Sequence, residues 1–136
     1  MVPISSAIEG SVREFAEAKE RLHNYRFSLG GGWEYNEGTF DRELDDNHKV
    51  WLRIPFAVVR GNIDPEGDSN ATIRFGQPFV LKHLYNEGND PEGSVRLFGA
   101  MFDQFQAPVN PDAKVEQAWL DKARSVLSEV EAAFSR

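Results

Sequence analysis

The sequence predicts an α+β fold, a two-layer sandwich in which an N-terminal and a C-terminal helix pack on one face of a mainly antiparallel sheet. Two segments with helical spacing of apolar residues flank a central stretch, from about Phe27 to Tyr85, in which apolar residues alternate and turn residues recur. The chain has 136 residues and no linker-like segment divides it. Residues 1–136 are therefore expected to form a single α+β domain.

The first helix is expected to begin at Ser11. Ser11 and Glu14 have the spacing of a capping box, in which a hydroxyl and a carboxylate bind the first backbone amides of a helix. Phe15 and Leu22 follow with helical spacing, and the helix should end near His23 or Asn24.

Two turns are predicted in the central stretch. Asn36, Glu37 and Gly38 indicate a three-residue hairpin loop, and residues 45–48 form the next turn. The second turn sets the register of the strands beside it. In that register Leu44 faces Val50, Arg42 faces Leu52, Phe40 faces Ile54, Asp41 faces Arg53 and Glu43 faces Trp51. The last two pairs are interpreted as a solvent-facing ladder.

Three strands are predicted from alternating apolar residues. Their rows are Val50, Leu52, Ile54, Phe56 and Val58; then Ala71, Ile73 and Phe75; then Phe79, Leu81, His83 and Tyr85. Pro55 lies inside the first strand and cannot donate a backbone hydrogen bond, so it should mark a bulge, a break or an edge.

The last helix is expected to begin after Asn110, with Pro111 at its first position and Asp112 near its positive end. A broad apolar stripe follows, which should pack Trp119, Val126 and Val130 onto the sheet. This helix completes the order of helix, sheet and helix.

Several segments together resemble the YugN-like family of small bacterial proteins. They are Gly30-Gly31-Gly32-Trp33-Glu34-Tyr35 with Gly38, Phe40 and Asp41; Leu52-Arg53-Ile54-Pro55-Phe56; Arg74-Phe75-Gly76 with Pro78, Leu81, His83 and Tyr85; and Phe102-Asp103-Gln104-Phe105 with Pro108, Pro111 and Asp112. The resemblance covers nearly the whole chain. It implies a compact two-layer α/β sandwich and supplies no active-site residues.

Composition argues against several classes of partner. The chain carries 22 acidic and 15 basic residues, a formal net charge of −7, which disfavours binding to nucleic-acid phosphates. It has no cysteine, which excludes disulfides and cysteine-ligated metals. The sequence shows neither an apolar run of the ~20 residues that span a membrane nor a secretory signal. We therefore expect a cytoplasmic protein whose partners include neither nucleic acid nor membrane.

Five side chains are candidate ligand-binding residues: Trp33, Tyr35, His83, Asp103 and Gln104. Each also has a purely structural interpretation, such as a satisfied core histidine or an aspartate that caps backbone amides. The three histidines share no metal-ligand spacing. We predict no metal site and no cofactor, and assign no catalytic residue.

Two hypotheses about function follow. The first is a non-catalytic binding or protein-interaction module, which could form a homodimer and would use the sheet surface or an edge near Pro55. The alternative is a small-molecule binder or enzyme with a pocket between the sheet and the helices. A closed cleft holding both His83 and Asp103 would favour the alternative.

Overall fold

The computed structural model describes residues 1–30, 36–63, 70–83 and 114–135. It has a seven-stranded sheet and, in the described ranges, two α-helices. The strands are β1 (Val2–Pro3), β2 (Val12–Glu14), β3 (Ser28–Leu29), β4 (Glu37–Glu43), β5 (Val50–Arg60), β6 (Thr72–Phe75) and β7 (Phe79–Lys82). The helices are α1 (Phe15–His23) and α2 (Gln117–Phe134).

The long strand β5 organises the sheet. Along one side it pairs with β4, and β3 lies beyond β4. Along the other side, the first half of β5 pairs with β7 and the second half pairs with β6. Strand β7 in turn pairs with β1, and β6 pairs with β2. All of these pairings are antiparallel, as the sequence predicts.

Both helices pack on the same face of the sheet, which confirms the predicted α+β sandwich. Phe15 of α1 stacks on Phe40 with ring centroids 5.8 Å apart, and Phe134 of α2 meets Phe75 edge to face at 5.8 Å. Phe40, Leu52 and Ile54 between them are fully buried. Burial of this apolar surface is the main contribution to stability. None of the described helices is long and apolar enough to cross a membrane.

The predicted register of β4 and β5 is confirmed at every position. Phe40 pairs with Ile54, Asp41 with Arg53, Arg42 with Leu52 and Glu43 with Trp51, and the Leu44 amide donates to the Val50 carbonyl at 2.8 Å. The turn at residues 45–48 is stabilised by the Asp45 carboxylate, which accepts hydrogen bonds from the amides of Lys49 and Val50.

Pro55 lies within β5 where the neighbouring strand changes. Arg53 is the last residue of β5 paired with β7, and Phe56 is the first paired with β6. The missing amide of Pro55 therefore falls at the junction of two partner strands, which is the break allowed by the sequence. Its carbonyl accepts a hydrogen bond from the Gly76 amide at 2.8 Å.

The predicted start of the first helix is wrong. Residues 12–14 form β2 and pair with β6, and α1 begins only at Phe15. The Ser11 hydroxyl donates to the Ile8 carbonyl at 2.6 Å, so it does not cap a helix. Pairing across the sheet thus outweighs the local capping pattern. The predicted end near His23 is confirmed.

The predicted hairpin loop at Asn36, Glu37 and Gly38 is also wrong. Glu37 pairs with Ala57 and Gly38 with Phe56, so both belong to β4. The Asn36 carbonyl accepts a hydrogen bond from the Val58 amide at 2.8 Å. A long partner strand extends the ladder into residues that have the composition of a turn.

The last helix begins later than predicted. Residues 114–116 are not helical, and Glu116 precedes the first turn in an extended conformation. Asn110, Pro111 and Asp112 lie outside the described residues. The stripe packs Val126 and Val130 as predicted, and Trp119 packs against the same core while staying partly exposed, with the Lys122 ammonium over its ring at 5.7 Å.

Candidate functional site

The sheet face turned away from the helices, called here the outer face, carries the alternate residues of the same strands. Along the paired part of β4 and β5 these residues are Glu37, Thr39, Asp41, Glu43, Trp51, Arg53, Pro55 and Ala57. They alternate with the buried residues Phe40, Leu52 and Ile54, because successive side chains of a strand point to opposite faces. The outer face is consequently polar where the core face is apolar.

A depression of about 440 Å³ lies on the outer face where β4 runs beside β5. Its described lining residues are Glu37, Gly38, Thr39, Asp41, Arg53, Pro55 and Phe56. The volume falls within the ~300–1,000 Å³ typical of small-molecule sites. Two carboxylates, one guanidinium and one hydroxyl therefore border a space large enough for a small ligand.

Asp41 and Arg53 form an incomplete ion pair in this depression. Arg53 Nε lies 3.5 Å from Asp41 Oδ1. The side chain of Asp41 is 13% exposed and that of Arg53 is 32% exposed. Within the described part of the chain, neither of these two buried atoms makes a hydrogen bond. The charges attract each other, but the contact does not satisfy the donor or the acceptor.

Gly30 lies beside the second oxygen of the Asp41 carboxylate, Oδ2. A Cβ atom at Gly30 would lie 2.7 Å from Asp41 Oδ2 and 2.7 Å from Thr39 Oγ1. The Gly30 amide also donates to the Thr39 carbonyl at 2.8 Å. The two polar side chains thus fill the space that a Cβ atom would take, so a larger residue at position 30 would have to displace them.

His83 lies outside the described lining of the depression. In the register of β7 with β5, Val80 pairs with Leu52 and contributes to the core, whereas Leu81 pairs with Trp51 of the outer face. His83 continues the outer-face alternation, and its amide donates to the Lys49 carbonyl at 2.8 Å. The expectation that the row containing His83 could face the core is therefore wrong. β7 carries apolar residues in both alternating sets, Phe79 and Leu81 in one and Val80 in the other, so its pattern does not clearly distinguish the faces.

Partial burial lowers the pKa of the His83 imidazole from its ordinary value, and the positive charge of Arg53 lowers it further. Both effects favour the neutral ring. His83 is thereby linked electrostatically to the Asp41–Arg53 pair, although it does not border the depression.

The other four candidate residues, Trp33, Tyr35, Asp103 and Gln104, lie outside the described residues. The structure therefore tests none of them as a ligand contact. Across residues 1–30, 36–63, 70–83 and 114–135, no group of three or more histidine, aspartate or glutamate side chains is placed to hold a metal ion.

The space between the sheet and the helices is filled, in the described regions, by the side chains of the core. A hollow of about 180 Å³ lies beside the end of α2, bordered by Ile8, Arg13 and Phe134 among others. Glu131, which also borders it, accepts a hydrogen bond from the Ser6 hydroxyl at 2.6 Å. This hollow is smaller than the ~300 Å³ lower bound for ligand sites.

Sequence reasoning paired Asp41 with Arg53 but interpreted the pair as part of a solvated ladder. The additional signal was Gly30, eleven positions before Asp41, which sequence reasoning used only for the family resemblance. Pairing of β3 with β4 brings Gly30 against Asp41, a contact that depends on tertiary structure. Pro55, suggested as part of a binding surface, does line the depression.

Comparison with known proteins agrees with this architecture. The model of the YugN-like family matches residues 3–134. An uncharacterized protein YugN of Bacillus subtilis (strain 168) is 35% identical over 132 residues, covering 96% of each chain.

The crystal structure of an uncharacterized conserved protein YugN from Geobacillus kaustophilus HTA426 has the same fold, with a TM-score of 0.69 and 18% identity. The match covers 97% of this chain and 93% of that one. Since the family model and the Bacillus relative both span nearly the whole chain, this protein belongs to the YugN-like family.

Proposed function

We propose that the protein is a non-catalytic binding module and that it binds a small polar ligand in the outer-face depression. The observation that carries this proposal is the Asp41–Arg53 pair, which lines the depression and whose two facing atoms, Asp41 Oδ1 and Arg53 Nε, are buried and make no hydrogen bond within the described part of the chain. The proposal joins the binding module expected from the sequence to a surface near Pro55.

The energetics of the pair support a role in binding. A buried polar group without a hydrogen bond destabilises a fold by about 1–3 kcal/mol. Apolar residues on the same strands would remove that destabilisation, and outer-face positions of a sheet accept them readily. Asp41 Oδ1 and Arg53 Nε are themselves inaccessible, so a ligand would bind the parts of the two side chains that stay exposed, and its binding energy would offset the destabilisation in the bound state.

The chemistry of the described lining favours binding over catalysis. Nucleophilic catalysis needs a hydroxyl or thiol beside a base that a third group orients. Thr39 supplies the hydroxyl of the described lining, and no histidine borders the depression among these residues. Glu37, Asp41 and Arg53 instead offer acceptors and donors that suit recognition of a charged ligand.

Chemical-shift mapping tests the proposal. The ¹⁵N-labelled protein is titrated with a panel of small anions, cations, zwitterions and amides. At least one compound should cause saturable shifts at Thr39, Asp41 and Arg53 amides, and Asp41→Asn should weaken them. Asp46→Asn, an exposed turn residue outside the depression, is the matched control. A panel that shifts none of these amides, or shifts them equally in Asp41→Asn, contradicts the proposal.

A further inference from the structure

We propose that the ligand of the outer-face depression is a free α-amino acid, bound through both its ammonium and its carboxylate. This inference rests on the proposed function and specifies the chemical class of its ligand. Arg53 binds the carboxylate, and Asp41 binds the ammonium.

The signs of the charges select a zwitterion. The described lining has two negative side chains, Glu37 and Asp41, and one positive side chain, Arg53. A simple anion would be attracted by Arg53 but repelled by the two carboxylates. A simple cation would be attracted by the two carboxylates but repelled by Arg53. A ligand with both charges gains both attractions when it is oriented correctly.

The spacing of the charges selects an α-amino acid. The two side chains approach to 3.5 Å between Arg53 Nε and Asp41 Oδ1, so the positive and negative ends of a ligand must also be close together. An α-amino acid carries its ammonium and carboxylate on one carbon atom. In a peptide the ammonium and the carboxylate lie on different residues, with at least one peptide bond between them. The depression of about 440 Å³ leaves room for a side chain as well.

The local packing holds the binding groups in place before a ligand arrives. Asp41 and Arg53 occupy paired positions of β4 and β5, and Asp41 Oδ2 and Thr39 Oγ1 fill the space that a Cβ atom at Gly30 would take. Such preorganisation reduces the conformational entropy lost on binding. The site lies on regular strands, where side-chain positions are more precisely fixed than on loops.

A titration of the full chain with related compounds tests the inference. Glycine and L-alanine should give saturable chemical-shift changes at the amides of Thr39, Asp41 and Arg53. N-acetylglycine lacks the ammonium and glycinamide lacks the carboxylate, so each should bind about tenfold or more weakly because a charge-assisted hydrogen bond is lost. Glycylglycine should also bind more weakly than glycine.

Two variants with matched controls locate the contacts. Arg53→Gln should reduce glycine affinity about tenfold or more, whereas Arg74→Gln, an exposed arginine on β6, should leave it unchanged. Asp41→Asn should likewise reduce glycine affinity about tenfold or more, whereas its control Asp46→Asn should leave the affinity unchanged. If Arg53→Gln fails to fold, Arg53→Lys keeps the charge but loses the planar donor geometry, and should weaken binding by a smaller factor.

The outcomes separate this inference from the proposed function. If N-acetylglycine, glycinamide or glycylglycine binds at the same amides as tightly as glycine, the assignment of an α-amino acid is wrong and the proposed binding module stands. If glycine shifts only residues away from the depression, or Arg53→Gln binds glycine normally, the inference is overturned. If no compound of either panel shifts these amides, both proposals are contradicted.

Discussion

The two faces of the sheet are formed by alternate residues of the same strands, yet they differ in how completely their side chains are satisfied. On the core face Phe40, Leu52 and Ile54 are 0% exposed and pack against the helices. One residue away, Asp41 and Arg53 form an ion pair without a hydrogen bond beside a depression. The comparison teaches that burial on one face supplies stability, which allows the other face to retain groups that reduce it.

The largest effect is expected on the core face. Phe40→Ala should lower the free energy of unfolding by about 3–5 kcal/mol, because its ring lies among Phe15, Phe56 and Phe75. Trp119→Ala should lose less than half as much, since Trp119 is only half-buried. Urea unfolding measures both values. Equal losses would mean that the burial of these two side chains does not govern stability.

A smaller effect is expected where the outer face contacts the backbone. Gly30→Ala places a methyl group 2.7 Å from Asp41 Oδ2 and Thr39 Oγ1, so it should destabilise the protein by about 1–3 kcal/mol through overpacking. It should also shift the amide resonances of Asp41 and Thr39.

Gly10→Ala is the matched control for Gly30→Ala. A Cβ atom there would meet nothing within 4 Å, but the residue has a φ of 84°. It should therefore destabilise the fold by roughly 1 kcal/mol through conformation alone, without affecting the amides of Asp41 and Thr39. If Gly30→Ala leaves the amide resonances of Asp41 and Thr39 unchanged, the assigned proximity of Gly30 to these two side chains is wrong.

The smallest effect is expected in the pH dependence of stability. The pKa of His83 is lowered in the folded protein by burial and then by Arg53. The unfolded chain therefore binds this proton first as the pH falls. The contribution of His83 to stability is fully present above its ordinary pKa of 6.5, and is lost as the pH falls through that value towards the folded pKa.

The His83→Gln variant isolates this contribution. Between about pH 7.5 and about pH 5.5, the wild type should lose more unfolding free energy than His83→Gln. A larger loss in the variant would contradict the assigned direction. In Arg53→Gln the contribution of His83 should become smaller, because one of its two causes is removed.

Much of the fold was predictable because its signals are periodic. The alternation around the turn at residues 45–48 gave the exact pairing of β4 with β5, since a shift by one residue would expose the whole apolar row. The start of α1 was mispredicted because Ser11 and Glu14 satisfy a local helix pattern while residues 12–14 pair with β6. That pairing depends on residues far away in the sequence.

The candidate site was less predictable than the fold. The partnership of Asp41 with Arg53 followed from the register, but the depression beside it depends on the three-dimensional placement of Thr39, Pro55 and the other lining residues. Exposure and missing hydrogen bonds are properties of atoms in three dimensions. A sequence pattern shows which charges face each other and does not show whether they are satisfied.

The central claim is that the Asp41–Arg53 pair is retained for binding at the expense of stability. The free energy of unfolding of four proteins tests it most directly: wild type, Asp41→Val, Arg53→Val and the double variant. Each single variant leaves one partly buried charge without its partner and should be less stable by about 1–3 kcal/mol. The free energy of unfolding of the double variant should equal that of wild type to within about 1 kcal/mol, or exceed it. A double variant whose loss equals or exceeds the sum of the single losses would contradict the account.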